Sequence, residues 1–590
     1  MSHMKFKEFS SYLQRLEETA KRLEISTILK ELLSKLGKEE VKEATYLSLG
    51  YLKAPFESLK FNIADKMMLR ILSLAYLHKS PAEIATSYGF MGDLGDVAFK
   101  LAEKSSSKKN PSVKEVYEAL TIIAKEEGFG SQDSKIQLGA VLLRDLDGLS
   151  AKYVVRIILG TTRLGFTELT MIQALSELLG NKKLAKQIEA KYNIYPDIGA
   201  ISELVTSRGL QGLNEIEITT GIPVLSQKAQ RVSGIDEAAE RIKASWSEYK
   251  FDGTRVQLHL DRKKHTNSTK DGQNDLFNSS DKEIMVETFT RNLEPTTHQF
   301  PDIVRAAKEQ LVAESVILDG EAIGYDSKTG TFLPFQETIQ RKRKHDVEES
   351  SLNIPLKYMV FDILYLNGES LLEKPLEYRH HQLERVVKHK GMIEIAEHFL
   401  ADNSVELKKQ FDQAKKHKLE GIIAKDPKGP YSAGARSYSW IKLKAADEKL
   451  LDDSIDCVVL GYYFGKGTRS KLGIGGFLVG IYDEASDGFK TLTKVGTGLT
   501  EEDFEKLKRL ADTVKTNQVP ANVEMDKAYM PDVITLPKIV VEIGADEISK
   551  SPSHSAGYAL RFPRLLKFRE DKGVNQITTL KEIELMFKNK

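Results

Sequence analysis

Lys250 opens the run Lys250-Phe251-Asp252-Gly253-Thr254-Arg255, a basic residue and a turn signal ahead of the alternating segment Val256-Gln257-Leu258-His259-Leu260. A lysine ε-amine attacks an electrophilic phosphorus only when neutral, so a lysine nucleophile needs neighbours that favour the neutral form. Arg255 and a bound metal are the candidates for that field. The same residues also describe an ordinary strand-edge turn, with Asp252-Gly253 turning and Lys250 solvated. The rest of the chain has to decide.

Further clusters stand at the ends of apolar strands. Arg291 follows the short segment Thr288-Phe289-Thr290, and Leu318-Asp319-Gly320-Glu321 sets a carboxylate beside an expected turn. Leu419-Glu420-Gly421-Ile422-Ile423-Ala424-Lys425 brings a second carboxylate and a lysine. In Trp440-Ile441-Lys442-Leu443-Lys444 the alternation sends both lysines to one strand face. Singly, these are solvated strand-end carboxylates or a charged edge that blocks aggregation. Together they suit nucleotide transfer, in which cations neutralise a triphosphate and carboxylates hold Mg²⁺ through a few oxygens.

The elements that must position these groups fall into three regions. A chain of 590 residues is too long for one core and suggests about three or four domains. Residues 1–222 read as helices: Tyr12, Leu16, Ala20 and Leu23 recur at helical spacing, as do Ile25, Leu29, Leu32, Leu33 and Leu36. Ala54-Pro55, Ser80-Pro81 and Asn110-Pro111 mark joins, and residues 104–111 read as an exposed loop. Residues 223–449 mix strand signals at 256–260, 315–319 and 358–365 with a helix at 378–387, an α+β pattern. Within them, the polar stretch 265–282 reads as a long hairpin tip. Residues 450–590 carry strand signals at 455–460, 476–482 and 539–543 around a helix at 501–514, which suits a small OB-fold β-barrel. The expected fold class is multidomain α+β.

Composition limits the partners. Net charge of +1 does not advertise a polyanion, so any nucleic-acid surface must be a local patch. No apolar run approaches the roughly 20 residues of a membrane span. Cys457 is the only cysteine, which excludes intramolecular disulfides and cysteine-built zinc sites and sets an intracellular expectation. Met1-Ser2-His3-Met4 reads as a cloning scar before a natural Met4.

The clusters also stand in a telling order. Glu248-Tyr249-Lys250-Phe251-Asp252-Gly253-Thr254-Arg255 is followed by Phe289-Thr290-Arg291-Asn292, Leu318-Asp319-Gly320-Glu321 and Val360-Phe361-Asp362-Ile363-Leu364-Tyr365. Then come Glu420 to Lys425, Trp440 to Lys444, and Arg561-Phe562-Pro563-Arg564 with Arg569-Glu570-Asp571-Lys572. In this order the chain resembles the ATP-dependent DNA ligases, of the replicative type shared by archaea and eukaryotes, over essentially its whole length. The helical region is similar to that family's DNA-binding domain at 154–165, which includes Arg163, and at 192–197.

The resemblance implies a role for each matched residue. Lys250 would attack the α-phosphorus of ATP, expel pyrophosphate and become lysyl-AMP, while Glu248 reads the adenine amino group and Phe361 stacks on the base. Arg255, Arg291 and Glu321 would lie near ribose and phosphate, with Glu321 and Glu420 around Mg²⁺, or Mn²⁺ in its place. Lys442 and Lys444 would contact the α-phosphate with help from Lys425, and Arg436 and Trp440 would lie close by. Asp571, Lys572, Arg561 and Arg564 would belong to a barrel segment closing over ATP, and Lys466 and Arg469 would touch DNA near the nick. AMP would then pass to the 5′-phosphate of nicked duplex DNA, and the 3′-hydroxyl would seal the break in replication, repair and recombination. One oxyanion at phosphorus needs neutralising in each step, so one set of cations serves all three. Different steps need different faces of the barrel, so rotation of residues 450–590 between steps is expected.

A monomer in the cytoplasm, associated with the nucleoid, is the expected form, and a sliding clamp is a further expected partner. Some archaeal relatives bind a clamp through an aromatic in the loop corresponding to residues 104–110, and this chain has none, which speaks against clamp binding there; Phe6, Phe9 and Tyr12 are the alternative, with a helix core face the favoured reading. The stretch 265–282 is longer than the family's tight hairpin, and Arg341-Lys342-Arg343-Lys344 is a phosphate-facing patch or a solvated helix end. The alternatives are an RNA ligase or an mRNA-capping guanylyltransferase, against which the helical region and Arg561-Phe562-Pro563-Arg564 argue, and a non-catalytic DNA-binding scaffold. An NAD-dependent ligase would need a cysteine-rich zinc module that one cysteine cannot build.

Overall fold

Short helices carry the first third of the chain. In α1 (Phe6–Glu17) the residues Phe6, Phe9, Tyr12, Leu13 and Leu16 turn inward, the stripe of an amphipathic helix. Phe6 and Phe9 have no exposed surface and Tyr12 keeps 3%, so this stretch is core rather than a docking motif. The expected run through Ala20 and Leu23 is broken, because α1 ends at Glu17 and α2 (Arg22–Lys35) starts afresh. Thr19 is the physical reason: its hydroxyl donates to Glu24 and accepts from the Lys21 N–H, a local bond that competes with helix. Later in this region α3 (Gly148–Ile158) is capped by the Asp147 carboxylate. Its Arg156, 2% exposed, pairs with Glu17 at 2.9 Å and with Asp96 at 3.4 Å. The loop from α3 to α4 (Glu168–Leu178) carries Arg163 at a φ of 59°.

The structure is a computed structural model that describes residues 3–588 apart from 78, 104–108, 233, 268–281, 327–328, 334–337, 339–354, 389–390, 418, 446–453, 466–468 and 470–471. Expectations for Lys466, for the clamp loop at 104–110, for the patch at 341–344 and for most of 265–282 therefore fall wholly or largely outside the described residues. Two compact units divide the chain, Met1–Ala85 with Leu94–Lys444 and Thr86–Asp93 with Ala445–Lys590. The first unit holds both the helical and the α+β parts.

The α+β part is built on two sheets. One runs β1 (Lys228–Arg231), β9 (Arg436–Lys444), β8 (Gly421–Lys425), β2 (Ser245–Lys250) and β7 (His398–Ala401) in spatial order. The other carries β4 (Lys282–Thr290), β3 (Thr254–Asn267), β5 (Ser315–Gly324) and β6 (Leu356–Leu366). Val224, Ile317, Leu364, Tyr431 and Trp440 form the apolar cluster that joins them. Asp319-Gly320-Glu321 lies in the middle of β5, not beside a turn. Gly320 is there for close approach: a Cβ would stand 2.7 Å from the Tyr358 ring.

Alternation along β3 does two jobs. Val256, Leu258 and Leu260 enter the core, while Gln257, His259 and Asp261 face the connection from the helical part. Gln257 accepts the Val224 N–H at 2.7 Å and donates to the Val224 carbonyl at 3.0 Å. His259 Nδ1 accepts the Gly221 N–H at 3.0 Å, and Asp261 accepts the Thr220 hydroxyl at 2.7 Å. Residues 220–224 are thus strapped along the strand.

In the second unit β10 (Ile455–Tyr463) pairs with β11 (Gly476–Asp483), and β11 with β12 (Gly488–Val495). Helix α5 (Glu501–Thr513), capped by Thr500, interrupts the strands as expected. After it β13 (Val540–Gly544) pairs with β10 and with β14 (Arg564–Phe568). The result is a curled, OB-like sheet around a core that includes Val459, Phe477, Leu492, Phe504 and Val541.

Candidate active site

Strand register assembles the site. Lys250 on β2 stands opposite Gly421 on β8, and Gly421 opposite Lys444 on β9. One row along, Glu248, Ile423 and Lys442 align, and one further, Trp246, Lys425 and Trp440. Residues opposite one another, and two apart along a strand, share a sheet face. A single face therefore grades from Trp440 and Lys425, through Glu248 and Lys442, to Lys250 and Lys444. It floors a cleft of about 870 Å³, walled from the other sheet by Arg255, Glu321 and Phe361, a size typical of small-molecule sites.

At the cationic end Glu420 binds Lys250 Nζ and, at 2.6 Å, Lys444 Nζ. Gly421 makes this possible: its φ of 145° and a Leu443 carbonyl oxygen 2.0 Å from where a Cβ would stand admit no side chain. Burial and the cations Lys444, Arg436, Lys250 and Arg291 hold the Lys442 amine below its usual range. Such an amine is eased by an incoming anion. Arg291 and Arg436 line the same cleft and are exposed.

Glu321 is different. Burial pushes its carboxyl up to about 7 against the pull of Lys250 and Arg255, and Asp319 and Glu420 add to the push. Among the described residues it makes no hydrogen bond or ion pair, and no three His, Cys, Asp or Glu side chains form a metal cluster. Two carboxylates beside a cationic cleft, one of them without a bond of its own, fit a hard cation shared with phosphate oxygens better than an all-protein cage.

At the other end Lys425 Nζ lies 2.7 Å from Glu248 Oε2, both side chains buried. Phe361 meets Trp440 edge-on with centroids 5.8 Å apart. Arg255 is spent on the scaffold: it is bidentate to the buried Asp319 at 3.0 and 2.6 Å and donates to the Gln227 carbonyl at 2.8 Å. Tyr431 completes the knot by donating to Asp319 at 2.7 Å.

In the second unit the expected residues have local partners. Arg469 donates to the Gly475 and Gly496 carbonyls at 3.1 and 2.9 Å and covers the Phe504 ring. Arg564 pairs with Asp546 at 2.8 Å, Asp571 with Arg569 at 2.7 Å and Lys572 with Asp456, while Arg561 reaches Glu547 only at 3.8 Å.

Comparison with known proteins decides the family. Residues 5–176 match the family described as DNA ligase N terminus, 270–444 the ATP dependent DNA ligase domain, and 470–572 the ATP dependent DNA ligase C terminal region. A probable DNA ligase of Dictyoglomus turgidum is 39% identical over 595 residues, covering 99% of this chain and 98% of its own. The chain belongs to the ATP-dependent DNA ligases. DNA ligase 1 of Methanosarcina acetivorans is 36% identical over 597 residues, covering 98% of this chain and 99% of its own. A solved structure described as Pmar-Lig_Pre. shares the fold, with a TM-score of 0.57 at 17% identity over 95% of this chain and 99% of that one.

As a member of the archaeal and eukaryotic type, the enzyme joins DNA at the expense of ATP, with the replication and repair roles typical of the family. No helix among its described residues is long and apolar enough to cross a membrane. The domain match begins after Lys250, so that residue's role rests on its place in the site. Reading the sequence missed several residues that line or brace this cleft. Asp319 stood inside a matched segment but was passed over for Glu321. Lys228, beside Arg436 in the β1–β9 pairing and lining the cleft, lies on a four-residue strand without any pattern. Gln227 and Tyr431 act through a backbone carbonyl and a hydroxyl that no spacing reveals.

Proposed function

We propose that this ligase seals nicks in duplex DNA through a lysyl-AMP on Lys250. The observation that carries the proposal is the graded sheet face, with Trp440 and Lys425 at one end, Glu248 and Lys442 in the middle row, and Lys250 and Lys444 at the other end. A nucleotide lying along it meets base-reading groups first and phosphate-neutralising ones last.

Once its pair with Glu420 opens and its ammonium gives up a proton, Lys250 attacks the α-phosphorus with the freed lone pair, the bond to the bridging oxygen breaks and pyrophosphate leaves. Lys442 and Lys444 neutralise the oxyanion that forms there, while Arg291 and Arg436 at the cleft edge meet the outgoing phosphates. Glu248 accepts from the adenine amino group and Phe361 packs on the base. Arg255, locked to Asp319, keeps β3 and β5 in register beneath them. Glu321 and Glu420 are the residues to hold Mg²⁺, which when bound supplies charge neutralisation at phosphate oxygens. AMP then moves to the 5′-phosphate of the nick, and the 3′-hydroxyl displaces it.

DNA contact is assigned to Arg163 in its left-handed loop and to Lys466 and Arg469. The roles of Arg561, Arg564, Asp571 and Lys572 toward the leaving pyrophosphate belong to the same proposal, and substrate must replace partners these side chains hold within their own unit. A grip that rests on phosphates suits an enzyme indifferent to sequence.

Incubation with α-labelled ATP and Mg²⁺, followed by intact-mass measurement, tests the central step. Wild type gains one AMP and Lys250→Ala gains none. An adduct on the substituted protein refutes the nucleophile, and sealing of nicked RNA in preference to DNA refutes the substrate.

A further inference from the structure

We propose that Lys425 decides which purine this ligase accepts, by holding Glu248 as a charged hydrogen-bond acceptor at the base end of the cleft. The inference rests on the reading of Glu248 as the group that faces the adenine amino. Resemblance sets Lys425 among the helpers of the α-phosphate, but its surroundings point elsewhere. Its ammonium lies 2.7 Å from Glu248 Oε2, and the two side chains are 1% and 5% exposed. It also donates to the Phe361 carbonyl at 3.2 Å. The Phe361 and Trp440 ring centres lie 4.8 and 4.4 Å away and enclose the charge between two aromatic faces. Lys425 pairs in register with Trp440, at the far end of the ladder from Gly421 and Lys444.

The consequence follows from hydrogen-bond chemistry. A carboxylate only accepts, whereas a carboxylic acid donates once and accepts once. Adenine presents an amino donor, which a carboxylate matches. Guanine presents O6, which a carboxylate repels, with N1–H beside it. A carboxylic acid matches both bases: its O–H donates to guanine O6 or adenine N1, and its carbonyl accepts from guanine N1–H or the adenine amino group. Burial favours the acid form of Glu248, and Asp362 on the facing sheet adds to that push. Arg379 opposes it but is itself committed to Asp362 through two bonds of 2.7 and 3.0 Å. Lys425 is the cation in contact with Glu248. Removing its charge turns a reader that rejects guanine into one that admits both purines.

The test offers ATP and GTP at equal concentration with Mg²⁺ at about pH 8, well above the ordinary carboxylate range. Intact mass distinguishes lysyl-AMP from lysyl-GMP, and calorimetric titration with each triphosphate gives the binding preference whether or not an adduct forms. Lys425→Met should lower the ATP-over-GTP preference at least tenfold, and Lys425→Arg should restore it. Lys425→Gln is read the same way if methionine does not fold. An unchanged preference in a folded neutral variant overturns the proposal. Glu248→Gln separates the two levels. If it alone loses the preference, the role of Lys425 fails while Glu248 stands; if it too keeps the preference, both readings fall.

Discussion

Glu420 gives one carboxylate oxygen to Lys250 and the other to Lys444. The proposed nucleophile and a lysine proposed to bind phosphate are thus tied to one acceptor, and on that reading a nucleotide must separate all three. Glu420→Gln keeps the shape but leaves a single neutral acceptor. Formation of enzyme–AMP should fall by about 10²–10³, the usual loss for one group aimed at a developing charge, read by label transfer from α-labelled ATP.

Gly421 carries the geometry of that pair. At a φ of 145° with the Leu443 carbonyl in the way, an added methyl forces β8 from β9. Gly421→Ala should cost at least ~1–3 kcal/mol of stability in urea unfolding, and should lose adenylation along with Glu420's position.

Asp319 has no exposed side-chain surface and holds Arg255 from both oxygens. Asp319→Asn leaves a half-buried guanidinium, 17% exposed, without its carboxylate, a loss of up to ~3 kcal/mol at the lower end of the cost of breaking a buried pair. The loss should appear as a lower urea midpoint with the same dependence on urea concentration.

His259 makes stability depend on pH. Its Nδ1 accepts the Gly221 N–H and its Nε2–H meets the Gln257 oxygen at 2.9 Å, so a second ring proton has no acceptor, and burial depresses the group to about 3. Unfolded histidine titrates near 6.5, so between those values the unfolded chain binds a proton that the folded one refuses. Stability is therefore present above about pH 6.5 and lost as pH falls, by up to about 1.4 kcal/mol per unit. Unfolding at pH 7 and pH 5 should show a smaller difference in His259→Gln than in wild type.

What could be read from the sequence follows the range of the forces involved. Lys250, Glu420 and Lys444 were legible because each stands in a short segment whose order along the chain is itself informative. That β2, β8 and β9 lie side by side with Lys250, Gly421 and Lys444 in one row was not, since pairing between residues far apart in sequence leaves no local periodicity. Gly320 misled because a glycine after aspartate usually turns, whereas here it admits the Tyr358 ring. Arg255 was expected near ribose and phosphate from the resemblance; it does line the cleft, but that Asp319 takes both ends of its guanidinium is visible only in the fold. The break after Glu17 lay in a threonine hydroxyl, below the reach of an apolar pattern.

The strap along β3 bears on how the molecule can be cut. A fragment beginning at residue 223 would keep Gln257, His259 and Asp261 but lose the Gly221 N–H and the Thr220 hydroxyl they bind. It would open a polar trough on an otherwise sound strand. An autonomous nucleotidyltransferase fragment should therefore start upstream of Thr220, and limited proteolysis of the whole enzyme should spare the peptide bonds between Thr220 and Val224 even though they join two differently built parts.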